Sequence, residues 1–229
     1  MERQEKVGFC ITMYDEYNTV YKSLQAIKNY YGDRVHGVVV KSSCNGMDTV
    51  PDNPFPMIVL PNLGSLVRRD KLPAYTLSRN YGVGFSHLHT SGWVFDYIVA
   101  LCGDTLVTDP SNFDRRYADM RNMNKLACVS QAIGQNFHSP DSDPINGKCG
   151  GRYQADGITD IMPQFFMLDG RAFCKTKAFA TIPVVNEFTS EHCLGNELVR
   201  MVGDFKKNVL VLAKNAYDYN DGIRYQVKE

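Results

Sequence analysis

Between residues 7 and 40 the sequence reads apolar, amphipathic, apolar. The run Val7-Gly-Phe-Cys-Ile-Thr-Met13 is rich in strand formers, and the polar turn Tyr14-Asp-Glu-Tyr-Asn18 follows it. Val20, Leu24 and Ile27 then recur at helical spacing, Gly32 and Asp33 close that helix, and residues 35–40 are apolar again. Strand, helix and strand in this order predict a parallel pair, because the chain must cross back before it can run in the same direction. Parallel strands need cover on both faces, so the expected class is α/β, a mostly parallel central sheet flanked by helices with right-handed crossovers.

The alternation continues. Residues 56–60 read as a third strand and residues 97–101 as a fourth; a helix over 67–89 lies between them, with Pro73 near its start and Gly82 and Gly84 weakening it. In the second half, 112–123 and 191–202 read as helices, and 126–132, 161–168 and 209–213 as extended. Residues 134–157 form a Gly-, Asp-, Ser- and Pro-rich loop long enough to suggest function. A chain of 229 residues can bury one large core, so we expect a single domain over 1–229.

Composition narrows the partners. Lys plus Arg equals Asp plus Glu at 25 each, which gives no net field for nucleic acid or an anionic membrane. The seven cysteines are odd in number and form no Cys-x-x-Cys pair, which argues against a disulfide framework or a zinc ribbon and for a reduced, cytoplasmic protein. The charged start Met-Glu-Arg-Gln-Glu-Lys lacks an apolar signal core, and no run approaches the roughly 20 residues that span a bilayer. The expectation is a soluble chain, either whole or a module of a longer protein.

The fourth strand ends in Cys102-Gly103-Asp104, and a carboxylate there sits where open α/β sheets bind ligands. Hard cations prefer oxygen, so Asp104 suits Mg²⁺ or Mn²⁺ and Cys102 does not. Asp after Gly also caps turns, so both readings stand. The same holds for Ser190-Glu191-His192, where Glu191 could act as a base or simply complement a helix N-terminus. A literal Asp141-Ser-Asp143 lies in the Pro-flanked loop and reads as turn chemistry. His87 and His89, two apart, cannot share a helix face and read as packing or surface residues.

Four motifs in this order resemble the GT-A fold glycosyltransferases, especially the large inverting family that uses nucleotide sugars. They are Ile11-Thr-Met-Tyr-Asp-Glu16 at the first strand end, Ser78-Arg79-Asn80-x-Gly82 before the fourth strand, Cys102-Gly103-Asp104 in the place of Asp-x-Asp, and Thr189-Ser-Glu191-His192. The resemblance implies transfer of a sugar from a nucleoside diphosphate, with a UDP-sugar favoured, to a hydroxyl acceptor. It implies a donor-binding half over about 1–104 and an acceptor-binding half over about 105–229.

It also implies roles. Thr12, Tyr14, Glu16, Ser43, Arg79 and Asp104 would bind the donor, with Tyr14 stacking on the base. Asp104 and His192 would hold Mn²⁺ or Mg²⁺, and Glu191 would be the catalytic base. Asn80 would brace the turn around Asp104, and Gln164-Phe-Phe166 with the 134–157 loop would shape the acceptor side. Arg68, Arg69 and Lys71 could add to a basic surface beside Arg79. The sequence departs from the family twice: Cys102 stands where the first acid of the pair belongs, and Lys41-Ser42-Ser43 ends the second strand without its Asp, for which Asp48 could substitute. Two alternatives follow, a catalytically degenerate sugar- or nucleotide-binding protein and a sugar-phosphate nucleotidyltransferase. The latter expects glycines after the first strand that Thr12-Met-Tyr-Asp lacks.

Overall fold

Strand β1 (Val7–Met13) is buried along its whole length, as a strand covered on both faces must be. Helix α1 (Tyr17–Tyr31) lies on one of those faces and buries Val20, Ser23, Leu24, Ile27 and Tyr31, one stripe at helical period. Gly32 ends it at φ 58°, where Lys28 Nζ donates to the Gly32 carbonyl at 2.8 Å. Strand β2 (Val35–Ser43) then runs parallel to β1 from Val7↔Val35 to Met13↔Lys41. The computed structural model describes residues 4–43, 50, 53–61, 72–130, 132–134, 159–161, 164–180, 182, 190–212 and 223–225.

Strand β3 (Met57–Pro61) pairs parallel to β2, and helix α2 (Leu72–Thr90) carries the chain back to β4 (Tyr97–Cys102), parallel to β1 on its other side. This return reverses the strand order, which makes the crevice beyond the C-terminal ends of β1 and β4 the switch point of the sheet. After β4 come β5 (Thr105–Val107), α3 (Ser111–Asn122), β6 (Ala127–Val129), β7 (Ala132–Gly134), β8 (Thr159–Ile161) and β9 (Phe165–Asp169). The last elements are α4 (Gly170–Thr176), α5 (Ser190–Val202), α6 (Phe205–Asn208), β10 (Val209–Val211) and β11 (Ile223–Tyr225). The seven-stranded sheet has the order β10-β6-β9-β4-β1-β2-β3, and only β9 runs antiparallel to its neighbours. The expected α/β class with a mostly parallel sheet is the one found.

One core, with Cys10, Tyr81, Phe85, Phe166 and Leu194, fills the face under α2 and α5; the other, with Phe9, Leu24, Phe113, Phe165 and Met167, lies under α1 and α3. Each such large side chain is worth about 1.5–3 kcal/mol over leaving it in water. Gly84 does not weaken α2 so much as let it approach. A Cβ there would lie 2.4 Å from Cys10 Sγ and 3.2 Å from Val40. Pro73 sits in the first turn of α2, where its missing N–H costs nothing; the expected start at 67–71 lies outside the described residues.

Two expectations are corrected. The single strand over 161–168 is two, β8 and β9, which belong to different sheets, with Pro163 between them in sequence. Residues 126–132 split in the same way into β6 and β7. Strands β5 and β11 were not foreseen; they pair antiparallel, Thr105↔Tyr225, and bring the chain's last described segment beside Asp104. Among the described residues no helix is long and apolar enough to cross a membrane.

Ser23 fixes β5 to α1. Its Oγ donates to the Thr105 carbonyl at 3.2 Å and accepts from the Val107 N–H at 2.9 Å, all of it buried. Removing that oxygen leaves the buried Val107 N–H without this partner, which costs about 1–2 kcal/mol. Ser23→Ala is therefore expected to lower the melting temperature by about 2–6 °C, as followed by circular dichroism.

Candidate functional site

Two turns meet at the switch point. The β1–α1 turn carries Tyr14, Asp15 and Glu16, and the β4–β5 turn carries Gly103 and Asp104. Glu16 is half-buried and folds back over the end of β1, where Oε2 accepts from the Tyr14 N–H at 2.7 Å and the Asp15 N–H at 3.2 Å. That oxygen lies 2.7 Å from where a Cβ on Gly103 would be, with Met13 Cβ and the Thr12 carbonyl each at 3.1 Å from the same point. Any side chain at 103 would displace the Glu16 carboxylate. The residue before Asp104 is glycine because the volume it would fill holds an acid from another turn.

The electrostatics agree. Desolvation above all, with the Asp104 and Glu16 carboxylates adding to it, pushes the Cys102 thiol up to about 12 against the pull of the Asp104 and Gly103 backbone N–H groups. Gln164 brackets the turn: its carbonyl accepts from Cys102 N at 3.2 Å and from Thr105 Oγ1 at 2.7 Å. Its side-chain Oε1 is buried without a hydrogen-bond partner.

The other candidates lie at strand ends, in the β1–α1 turn or on α2. Thr12 is 1 % exposed and faces the buried Tyr81 hydroxyl, so its side chain belongs to the interior. Tyr14 is 44 % exposed in the turn after β1. Ser43 ends β2 opposite Pro61. Arg79, reached from α2, is no helix-surface ion pair: Nη2 donates to the Pro61 carbonyl at 2.8 Å and to Ser42 Oγ at 3.3 Å, which ties together the ends of β2 and β3. Burial lowers its pKa, and its Nε is buried without a hydrogen-bond partner.

Asn80 braces a different element from the one expected. Its Oδ1 accepts from Ser42 Oγ at 3.0 Å, so it holds the end of β2. Phe165 and Phe166 are 1 % and 0 % exposed and belong to the two cores, which removes them from the acceptor side. Lys41 was noticed in the sequence only as a missing acid. It is 2 % exposed, donates from Nζ to Tyr17 OH and lies 4.6 Å above the Tyr17 ring centroid, which puts a buried cation at the end of β2. The signal in the sequence was a lysine where the resemblance expects an acid.

Glu191 and His192 belong to the first turn of α5, with Glu191 half-buried and the His192 side chain outside what the structure describes. His89 stacks on Phe173 at 3.8 Å and bonds to the Ala178 carbonyl, while His87 stacks on His36 at 5.5 Å; both are packing residues. Asp48, Arg68, Arg69, Lys71, Asp141, Asp143 and residues 135–157 of the long loop lie outside the described residues. Among the described residues no group of three or more His, Cys, Asp or Glu could hold a metal ion. A cation here would need oxygens from a bound phosphate as well, the usual manner of Mg²⁺ at nucleotide sites.

The structure is similar to the mannosyltransferase PcManGT from Pyrobaculum calidifontis, solved in complex with GDP-Man and Mn²⁺. The TM-score is 0.50 at 11% sequence identity, over 96% of this chain and 59% of that one. It is also similar to S. aureus TarS 1-349 in complex with UDP, with a TM-score of 0.50 at 11% identity, over 92% of this chain and 58% of that one. The chain thus spans less than two thirds of either relative. No protein-family model matches the sequence, and no curated protein matches it. At such identities the likeness shows the fold, and the fold is of the GT-A type.

Proposed function

We propose that this GT-A-fold chain moves a sugar from a nucleoside diphosphate donor, with a UDP-sugar favoured, to a hydroxyl acceptor, with inversion and assisted by Mn²⁺ or Mg²⁺. The observation that carries the reading is the meeting of the Glu16 and Asp104 turns at the switch point of the sheet. Relatives of this fold were solved with GDP-Man and Mn²⁺ in one case and UDP in the other, so the base is a choice between known options.

The residues divide the work. Tyr14 stacks on the nucleobase beside the β1 end, where Thr12 and Ser43 contribute backbone and Glu16 a carboxylate. Arg79 holds the β2 and β3 ends and offers its guanidinium charge to the donor phosphates. Asp104, with His192, holds the divalent cation, which when bound stabilises the charge that develops on the departing diphosphate. Glu191 takes the proton from the acceptor hydroxyl as it attacks. The half over about 1–104 serves the donor and the half over about 105–229 the acceptor.

The test is release of nucleoside diphosphate from a panel of UDP-, GDP- and other nucleotide sugars. Release from one class of donor is expected with Mn²⁺ and is expected to disappear with EDTA. In Glu191→Gln, turnover should be lost while donor binding persists. If no nucleotide sugar binds or turns over, the reading fails. Stabilisation by UDP with Mn²⁺ but no turnover favours the binding-only alternative, for which Cys102 in an acid's place is the specific observation.

A further inference from the structure

We propose a second binding site at the opposite end of the sheet from the switch point. It is a cavity of about 400 Å³ lined by Glu5, Asp96, Tyr117, Arg121, Asp169 and Arg171, and it takes a small zwitterion of amino-acid to dipeptide size, carrying an ammonium and a carboxylate. The proposal is independent of sugar transfer. Glu5 precedes β1, Asp96 precedes β4, and Asp169 ends β9 opposite Tyr97, so the cavity lies at the N-terminal ends of the parallel strands. The six residues of β4 span about 17–20 Å and separate it from the Cys102-Gly103-Asp104 turn.

Tyr117 is the buried group in this lining. Helix α3 carries it, and it is 9 % exposed. Its ring packs on Tyr97 at 4.6 Å between centroids, and the Arg121 guanidinium lies 5.9 Å from its own centroid, so the ring is fixed on two sides. The hydroxyl has no hydrogen-bond partner among the described residues, whereas its buried neighbours do: Tyr31 OH donates to the Pro110 carbonyl at 3.0 Å and Tyr97 OH to Asp114 Oδ1 at 2.6 Å. A phenol this buried ordinarily finds a partner for its hydroxyl. What surrounds this one is the charge of the cavity: after burial, Asp169 and Asp96 raise its pKa, Arg121 lowers it and Glu5 raises it.

The lining charges set the class of ligand. Three carboxylates and two guanidiniums face one cavity, yet among the described residues neither Arg121 nor Arg171 forms an ion pair. A simple anion would meet the carboxylates, and a simple cation the guanidiniums. A molecule with both charges gives its ammonium to the acids and its carboxylate to the arginines, whose planar fork matches a carboxylate. Two of the acids are held in place for this, since Asp96 Oδ2 accepts from the Lys6 N–H and Asp169 Oδ1 from the Ala172 N–H, each at 2.8 Å. The Tyr117 hydroxyl adds a neutral hydrogen bond between the two signs. The volume falls toward the small end of the range of ligand sites, about 300–1,000 Å³, which suits a ligand of this size.

The experiment is isothermal titration calorimetry of the full chain with the common L-amino acids and a set of dipeptides, beside glucose, spermidine and inorganic phosphate, for wild type, Tyr117→Phe and Arg121→Gln. At least one zwitterion is expected to bind wild type with a Kd below about 1 mM. Acetylating its amine or amidating its carboxylate is expected to weaken it by about tenfold or more. Tyr117→Phe keeps the ring and its packing and is expected to weaken the same zwitterion by about three- to tenfold, with a melting temperature near wild type. Arg121→Gln, at an exposed position that tolerates the change, is expected to weaken it by about tenfold or more, and it carries the test should Tyr117→Phe not fold. Binding of nucleotide sugars at the far end of the sheet is expected to be the same in all three proteins, so the two readings fail separately. The proposal is overturned if no zwitterion binds, if blocked forms bind as well as free ones, or if neither variant loses affinity. Binding of glucose, spermidine or phosphate in place of every zwitterion overturns it as well.

Discussion

Gly170→Ala is expected to yield no cooperatively folded protein. Gly170 opens α4 directly after β9, and its N–H donates to the Asp96 carbonyl at 2.9 Å. A Cβ at 170 would lie 2.1 Å from the Phe95 carbonyl oxygen, 2.6 Å from its carbon and 3.0 Å from the Asp96 carbon. Every one of these atoms is backbone, so no rotamer can relieve the overlap. The segment cannot retreat either, because Asp96 N donates to the Lys6 carbonyl at 2.8 Å and Tyr97 begins β4 in the middle of the sheet. Asp169, which caps Ala172 N at 2.8 Å, holds the other side. Forcing a methyl group into this contact costs about 4 kcal/mol or more, a large part of the stability of an ordinary domain. Soluble yield and urea unfolding followed by circular dichroism are the measurements, and a cooperative transition close to wild type would show that the β9–α4 junction opens more easily than these distances allow.

That junction marks where sequence reading reached its limit. The first half was legible because each element carries its own period: β1 is apolar throughout, α1 has one buried stripe, and β2 is apolar again. Strand β9 was not, because residues 161–168 are apolar nearly throughout, and hydrophobicity gives neither a break nor a direction. Pro163, which lacks an N–H for a ladder, was the available sign that one run is two strands. Strand β11 left no sign at all, since three residues pairing with β5 across more than half the chain have no local pattern.

The site divides along the same line. Glu16 and Asp104 could be chosen from motifs, but their adjacency depends on the parallel register that sets Thr12 opposite Cys102. The burial of Thr12, Phe165 and Phe166 follows from alternation along strands whose two faces are both covered, so a residue at a strand end can still point into a core. Ser42 and Asn80 find each other only because α2 packs across β2, which no spacing within the sequence reveals.

Asp104→Asn is expected to lower nucleotide release by about 10²–10³-fold while the melting temperature stays within about 2 °C of wild type. Asn has the shape of Asp and the same liking for turns, so the half-buried position between β4 and β5 keeps its backbone. What it loses is charge. A neutral amide oxygen is a poor partner for a hard divalent cation, and the cation's stabilisation of the leaving diphosphate is worth several kcal/mol, with each 1.36 kcal/mol about tenfold in rate. The contrast is Asp143→Asn in the literal Asp141-Ser-Asp143, which reads as turn chemistry and is expected to stay within about twofold of wild type. Release assays on the two variants at saturating Mn²⁺ decide between the motifs. If Asp143→Asn is the inactive one, the strand-end acid is a turn cap and the cation site lies in the loop. If Asp104→Asn is the inactive one, the strand-end acid serves the cation and the literal Asp141-Ser-Asp143 is turn chemistry, so a lone acid after glycine at the switch point of the sheet does the work that a motif search would assign to the loop.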